Sequence, residues 1–453
     1  MAISETDNAG VDSIWGQRQR GLTAGLVATI TLFASESLAV STILPDISKE
    51  LGRAGYGAVF SLFFLGSIVG VLVGGPAADS YGLRGPFVSV VILFAVGLVV
   101  GGFASTMWML ILGRFLQGLG AGASSPIIYA AIARTYSKAA QVRMFAVTST
   151  AWVVPGVVGP GLAGLVSDHV GWRWVFLGLL PLVALAAIIT VPKLDNTASS
   201  GVAAVPFRAV DIARFTIGAG LLLAALAGSA LPIGALLAVS GIACGAGSAR
   251  RIFPAGLLRL EPGTAATVAL RGLLTWAFIM VDAFVPLVIS GIRGRSVLVS
   301  SVFVTTTTLC WTIGAWIVDR LQQRHGPAWL VRRGFLLLAI GTLVELLLVF
   351  RSVSLAYAFV GAVIVGLGLG LSYAPMTSVV LALAPEGQQG TSSSSLALSD
   401  GLGFSFGAAT TGAVVTIGTH LHWHEATPYV LMWTAAAAVA LLGAFAAHRM
   451  DVG

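Results

Sequence analysis

Apolar residues occur along the chain in runs of roughly twenty, separated by short polar connections. About twenty residues of α-helix are needed to cross the ~30 Å hydrocarbon core of a bilayer. Strands of a membrane barrel would instead alternate apolar and polar residues over about ten positions, and these runs do not. Because lipid accepts only helices and closed barrels, the pattern predicts an all-α integral membrane protein.

Twelve of the runs are simple to assign as membrane spans. The first six lie near 21–44, 56–78, 86–103, 107–132, 144–167 and 172–192. The last six lie near 266–290, 297–319, 333–350, 354–382, 392–418 and 427–447. Between them, the region 214–247 is interrupted at Gly228, Ser229 and Pro232, and it is long for one helix but short for two.

The distribution of positive charge decides how often this region crosses. Two crossings place eighteen of the 25 lysines and arginines on the cytoplasmic side, Arg271 among them, with six outside and Arg114 within a span. A single crossing would put Arg320, Arg324, Arg332 and Arg333 outside, against the positive-inside rule. We therefore predict fourteen spans with both termini cytoplasmic.

The predicted organisation is two bundles joined by a linker. We expect a cytoplasmic tail at 1–20, a six-helix bundle at 21–192, a linker with an inserted helical hairpin at 193–264, a second six-helix bundle at 265–447 and a tail at 448–453. Weak repetition supports two related halves, since the segment around Asp79 resembles that around Asp319. Repeated halves around a midplane site are a common transporter plan.

Composition agrees with lipid as the solvent. Of 453 residues, 57% are hydrophobic and 9% are charged, and the mean hydropathy is +0.94. A soluble domain carries about 25% charged residues. The net charge of +7 lies in the connections, so nucleic acid is not an expected partner. The sequence shows no nucleotide-binding loop or nucleophile triad, and His420, His422 and His424 lack a scaffold of further ligands; we predict no enzyme activity, no cofactor and no metal site.

A first motif, at Gly75, Asp79, Gly82 and Arg84, falls between spans 2 and 3. Gly82 permits a tight turn with positive φ. Asp79 and Arg84 are able to form charge-assisted hydrogen bonds to neighbouring helix ends. The motif is therefore either a simple turn or a latch that opens and closes.

A second motif places Arg114, Gln117, Gly118 and Ala121 on one face of span 4. An arginine inside a membrane costs at least a few kcal/mol, so we expect Arg114 to face a cavity or a carboxylate. The alternative is that its side chain extends to the membrane surface.

A third motif lies in span 5. Gly156, Gly159, Pro160 and Gly164 form a strip of small residues with one proline. Small residues allow close approach of helices, and proline removes one helical hydrogen bond. We expect a tightly packed, bendable hinge.

Together these motifs resemble those of the major facilitator superfamily. The stretch from Glu36 to Pro45, and the sequence Gly171-Trp172-Arg173, are similar to the fourteen-span drug:proton antiporters, which usually have Asp where this chain has Glu36. The resemblance implies two six-helix bundles with a two-helix insertion between them. Ala315 departs from the glycine expected in the second-half loop.

Four carboxylates fall inside predicted spans: Glu36, Asp282, Glu345 and Asp400. A buried acid is a candidate for binding protons or cationic substrates. We assign such roles to Glu36 and Asp282, and leave Asp400 between that role and a structural hydrogen bond. Glu345 is interpreted as structural and within reach of Arg351. Aromatic residues suited either to lining a cavity or to packing are Trp152, Trp276, Phe278, Phe284 and Trp311.

The expected activity is secondary active transport. The leading hypothesis is a proton-coupled antiporter that exports lipophilic or cationic drug-like compounds, or lipids, from a bacterial cell as a monomer in the inner (plasma) membrane. Its expected partners are a small lipophilic substrate, protons and membrane lipid. Two alternatives are an importer or uniporter of a small polar nutrient, and a non-transporting membrane receptor or scaffold.

Overall fold

The computed structural model describes residues 14–16, 19–52, 58–195, 208–226, 231–295, 297–322 and 324–450. Within these ranges the backbone is helical apart from turns and short irregular connections, and it contains no strand. The predicted all-α fold is confirmed for this part of the chain.

The helices group into two compact units. One comprises Met1–Arg208 with Ala384–Ala397, and the other comprises Ala209–Leu383 with Leu398–Gly453. The helices before residue 208 are α1 (Arg20–Leu51), α2 (Ala58–Tyr81), α3 (Arg84–Gly102), α4 (Met107–Thr135), α5 (Lys138–Thr150), α6 (Val153–Val170), α7 (Arg173–Leu177) and α8 (Leu180–Thr190). Those after it are α9 (Ala209–Leu226), α10 (Leu231–Ile252), α11 (Thr264–Asp282), α12 (Val285–Leu287), α13 (Val297–Leu321), α14 (Pro327–Glu345), α15 (Ala356–Ala382), α16 (Gln389–His420) and α17 (Thr427–Ala446). The boundaries predicted for the bundles and the hairpin stay predictions.

Most helices are long enough to cross a membrane. Among the described residues, 11 helical segments meet that requirement by length and apolar composition. The remaining segments of comparable length are α1, the pair α5 and α6 interrupted at 151–152, and α14. With these three, the described helices agree in number with fourteen spans.

Glycines set the spacing between neighbouring helices of each unit. A Cβ on Gly118 of α4 would lie 2.9 Å from the carbonyl carbon of Phe63 in α2. A Cβ on Gly368 of α15 would lie 2.6 Å from the carbonyl oxygen of Gly334 in α14. Both contacts are too close for any side chain, so the helices pack backbone to backbone, as small residues allow within lipid.

A carboxylate beyond the first predicted span joins α1 to α7. Glu50 accepts hydrogen bonds from Trp172 Nε1 at 2.8 Å and from Arg173 Nη1 at 2.9 Å. The Trp172 hydrogen bond, and then that of Arg173, lower the pKa of Glu50. Gly171 makes the preceding turn with a φ of 96°. The segment Gly171-Trp172-Arg173, which supports the family resemblance, therefore holds the end of α1 in place.

Candidate functional site

The centre of the first unit is a buried ion pair between Glu36 of α1 and Arg114 of α4. Each side chain is 1% exposed. Arg114 Nη1 donates to Glu36 Oε1, and also to Gln117 Oε1 at 2.8 Å. Arg114 therefore faces a carboxylate, and it does not extend to the surface.

The helical spacing of the second motif builds this centre. Arg114 and Gln117 lie three residues apart on α4, so both side chains lie on the face toward α1 and α2. The guanidinium carbon of Arg114 lies 4.2 Å from the centroid of the Phe63 ring on α2. A cation over an aromatic face is stabilised by the ring quadrupole, more strongly when water is excluded.

Three polar atoms of this cluster are buried and have no hydrogen-bond partner among the described residues: Glu36 Oε2, Arg114 Nε and Gln117 Nε2. Buried polar atoms are nearly always satisfied, so an acceptor and two donors left over in one cluster require an explanation. Glu36 Oε2 is able to accept a proton, and protonation would end the electrostatic attraction to Arg114. The arrangement is suited to a change of protonation state within the membrane.

The second unit contains a different charged centre, around Asp400 of α16. Its Oδ1 accepts hydrogen bonds from Arg271 Nε at 3.1 Å and from Tyr373 Oη at 2.9 Å. Thr275 of α11 donates to the same oxygen. The Arg271 guanidinium carbon also lies 3.4 Å from the centroid of the Tyr373 ring. Asp400 is 29% exposed, so part of its carboxylate stays accessible.

The sequence analysis missed Arg271, which it counted among the cytoplasmic charges. The structure places it seven residues into α11, with a side chain 3% exposed. Counting charges on each side of the membrane does not show how deep a residue lies. A charged residue near the start of a span is therefore assigned to the adjoining loop. The available signal was Asp400, an intramembrane acid with no assigned cation.

Aromatic rings continue this second centre. The rings of Trp311 and Tyr373 are 4.6 Å apart, and those of Phe278 and Trp311 are 6.2 Å apart. The indole nitrogens of Trp276 and Trp311 are buried without a hydrogen-bond partner. Trp152, by contrast, is 51% exposed on α6.

Asp282 and Glu345 end α11 and α14. Glu345 is 2% exposed and Asp282 is partly buried. The pairing of Glu345 with Arg351 is wrong, because Arg351 lies 3.7 Å from Glu425 instead. Both of those side chains are largely exposed, so the favourable contact for Arg351 lies at the surface, whereas Glu345 is buried.

Comparison with known proteins identifies the family. The family model for the Major Facilitator Superfamily matches residues 25–408. The chain belongs to this superfamily. The predicted transporter class, in place of an enzyme, is thereby confirmed.

The chain is distantly similar to several individual members of the superfamily. The chain is 26% identical over 424 residues to an uncharacterised MFS-type transporter of Mycobacterium tuberculosis, covering 88% of this chain and 59% of that protein. It is 26% identical over 416 residues to the multidrug transporter protein MdtP of Bacillus subtilis, covering 87% and 75%. The human organic anion transporter MFSD10 has a similar fold, with a TM-score of 0.69 at 15% identity, covering 94% of this chain and 99% of that one. This chain thus spans less than two thirds of the first of these relatives.

The first motif of this superfamily member is not confined to a loop. Gly75 and Asp79 lie in the last turns of α2, and the turn itself follows at Gly82, with a φ of 77°. Asp79 is buried and accepts hydrogen bonds from Gly390 N at 2.9 Å and Thr391 N at 2.7 Å. It therefore caps the first turn of α16, where free amides and the helix dipole favour a negative charge.

Two further contacts complete this cap. Arg134 Nη2 of α4 lies 2.8 Å from Asp79 Oδ1. A Cβ on Gly75 would collide with the backbone of Gly390, so only glycine permits this approach. The backbone N of Arg84 donates to Asp195 O at 3.3 Å, but its exposed side chain, unlike that of Asp79, has no hydrogen bond or ion pair with a described residue.

Replacing Asp79 with Asn should loosen the first turn of α16. The substitution removes the charge that faces the helix N-terminus and Arg134, an interaction worth about 0.3–2 kcal/mol, and leaves one acceptor oxygen in place of the two that Gly390 and Thr391 use. We expect the amides of Gly390 and Thr391 to exchange with deuterium roughly tenfold faster. Arg84→Gln is the matched control, since it also removes one charge from the motif. Equal rates of deuterium exchange at these amides in the wild type and in Asp79→Asn would contradict a latch role for Asp79.

The third motif of the superfamily member lies on α6 in open surroundings. A Cβ on Gly156 would have no described atom within 4 Å, and a Cβ on Gly159 would have only the Ser35 carbonyl oxygen, at 3.9 Å. Pro160 and Gly164 lie on the same helix. The tight packing expected from these small residues is not found around Gly156 and Gly159 in this conformation.

Proposed function

We propose that this transporter is a proton-coupled antiporter that exports lipophilic or cationic drug-like compounds, or lipids, across a bacterial plasma membrane. The observation that carries the proposal is the buried Glu36–Arg114–Gln117 cluster with its unsatisfied Glu36 oxygen. A carboxylate at this depth is costly to ionise unless it is paired, and it is therefore a functional candidate.

The net charge of the Glu36–Arg114 pair accounts for the proposed exchange of a proton for a cationic compound. With Glu36 ionised, the Glu36–Arg114 pair has no net charge, and a cation is not repelled. When Glu36 takes up a proton, the cluster gains a net charge of +1 and disfavours the cation. Proton binding and substrate binding then oppose each other, and this opposition is reciprocal.

The second unit supplies the other proposed binding groups. Asp400 is partly exposed beside Tyr373 and Trp311, so it offers a negative charge next to flat apolar rings. Asp282 is a partly buried carboxyl group at the end of α11, and an acid inside a membrane helix is a candidate for taking up a proton. We propose Asp400 as a substrate contact and Asp282 as a second proton site.

Two relatives are named as multidrug transport or resistance proteins, which supports an exporter rather than a nutrient importer. MdtP is a multidrug transporter, and the multidrug resistance protein Stp of Mycobacterium tuberculosis is 24% identical over 397 residues. We propose that Asp79, through its cap on α16, changes contacts during the transport cycle. We propose the same for the strip of small residues on α6, which consists of Gly156, Gly159, Pro160 and Gly164. A monomer with both termini cytoplasmic remains part of the proposal.

Flux in proteoliposomes tests the activity. An imposed pH gradient should drive accumulation of a lipophilic cationic dye, and a protonophore should abolish it. A neutral lipophilic dye and a sugar serve as comparison substrates. Accumulation of the sugar with the proton gradient would instead support a nutrient importer, and no gradient-dependent flux of any substrate would support the receptor or scaffold.

A further inference from the structure

The two helices of the inserted hairpin enclose a polar cavity at one end. α9 and α10 pack through Gly218 and Gly241, where a Cβ on Gly218 would lie 2.7 Å from the Gly241 carbonyl oxygen. Beyond this contact is a cavity of about 320 Å³, lined by Asp211, Arg214, Cys244, Ser248 and Arg251 together with small residues. The cavity lies at the end opposite the connection 227–230.

The cavity has a surplus of positive charge. Asp211 is buried, and its Oδ1 accepts hydrogen bonds from Arg251 Nη1 at 3.0 Å and from Ser248 Oγ at 3.2 Å. The carboxylate of Asp211 therefore balances the charge of the Arg251 guanidinium and fixes its orientation. The Arg214 side chain is exposed and has no hydrogen bond or ion pair with a described residue. Arg214 and the exposed part of Arg251, whose side chain is 63% exposed, are left to bind an anion.

Exposed apolar side chains lie on both helices of the hairpin. Ile217 of α9 is 55% exposed, and Leu236, Val239 and Ile242 of α10 are 66%, 65% and 57% exposed. Side chains of this kind on helices of membrane length face acyl chains. The charged end of the hairpin, with Arg250 and Arg251, then lies at the level of the lipid headgroups.

We propose that this cavity binds the phosphate group of an anionic phospholipid. Arginine offers paired N–H donors that match phosphate oxygens, and Arg214 and Arg251 are held on two facing helices. Basic pockets between membrane helices are suited to anionic headgroups. The apolar side chains beside the cavity accommodate the acyl chains, which a free phosphate ion lacks. The site is separate from the proposed transport centres and does not depend on the transported substrate.

Native mass spectrometry of the full-length protein, titrated with phosphatidylglycerol or phosphatidylcholine, tests the site. We expect tighter binding of phosphatidylglycerol than of phosphatidylcholine. In Arg214→Gln the affinity for phosphatidylglycerol should fall about fivefold, the effect of losing one hydrogen bond to the phosphate. Arg250→Gln is the matched control, since it removes the same charge one residue from Arg251 without lining the cavity. The affinity of Arg250→Gln for phosphatidylglycerol should stay within about twofold of the wild type, because no hydrogen bond to the phosphate is lost.

A second variant tests the cavity without changing charge. Gly247 lines it, and a Cβ there meets no described atom within 4 Å, so Gly247→Leu should fold and fill the space. We expect it to weaken phosphatidylglycerol binding as much as Arg214→Gln. Equal losses in Arg214→Gln and Arg250→Gln, or unchanged binding in Gly247→Leu, would overturn the site in favour of diffuse surface charge. Complete displacement of the lipid by millimolar inorganic phosphate would overturn the lipid as its ligand.

Discussion

Replacing Glu36 with Gln should abolish pH-driven efflux, lowering its initial rate by about a hundredfold or more. Removing one partner of a buried ion pair costs about 3–5 kcal/mol, because the other charge is left uncompensated. Arg114 and Glu36 are each 1% exposed, so water does not replace the lost partner. The glutamine also cannot release a proton at physiological pH, which removes the proposed coupling step.

A second measurement separates coupling from stability. Exchange of a labelled for an unlabelled neutral lipophilic substrate, without a pH gradient, should survive in Glu36→Gln, because the uncompensated charge of Arg114 opposes only a cation. The double variant Glu36→Gln with Arg114→Gln removes both charges, so it should recover thermal stability but not pH-driven efflux. Normal pH-driven efflux by Glu36→Gln would exclude Glu36 from the mechanism.

The sequence predicted the spans well because each is a long apolar run, and the cost of burying Arg114 predicted that it faces a cavity or a carboxylate. It did not predict which acid would pair with Arg114. Helical spacing orders residues along one helix, whereas the Glu36–Arg114 contact depends on how α1 packs against α4. The pairing of Glu345 with Arg351 was wrong for a similar reason, since their proximity in sequence did not become proximity in space, while the structural role of Glu345 stays a prediction.

The centre in the second unit was harder to predict, because it does not repeat the first. In the first unit the acid, Glu36, is on α1 and the arginine is on α4. In the second unit the arginine, Arg271, is on α11, the first helix of the predicted second bundle, and the acid is on α16. Both centres place a guanidinium against a carboxylate and an aromatic ring. Similar chemistry is therefore built from non-equivalent positions, which comparison of the two halves in sequence does not detect.

Replacing Gly159 with Leu should leave the protein folded but lower its transport rate at least tenfold. In this conformation the added side chain has room among the described atoms, of which its Cβ would meet only the Ser35 carbonyl oxygen, at 3.9 Å. Leucine also favours helix over glycine by up to about 1 kcal/mol, so the thermal midpoint should hold or rise. We propose that another state of the transport cycle brings a neighbouring helix against this strip.

In that packed state the leucine would be overpacked, at a cost of about 1–3 kcal/mol. Transport states commonly differ by only a few kcal/mol, so this cost would depopulate the packed state and stall the cycle. Gly161→Leu is the matched control, because Gly161 also has no described atom within 4 Å of its Cβ. It points about 200° away from Gly159 around the helix. We expect near-normal transport from Gly161→Leu, and near-normal transport from Gly159→Leu as well would show that α6 is not a moving contact.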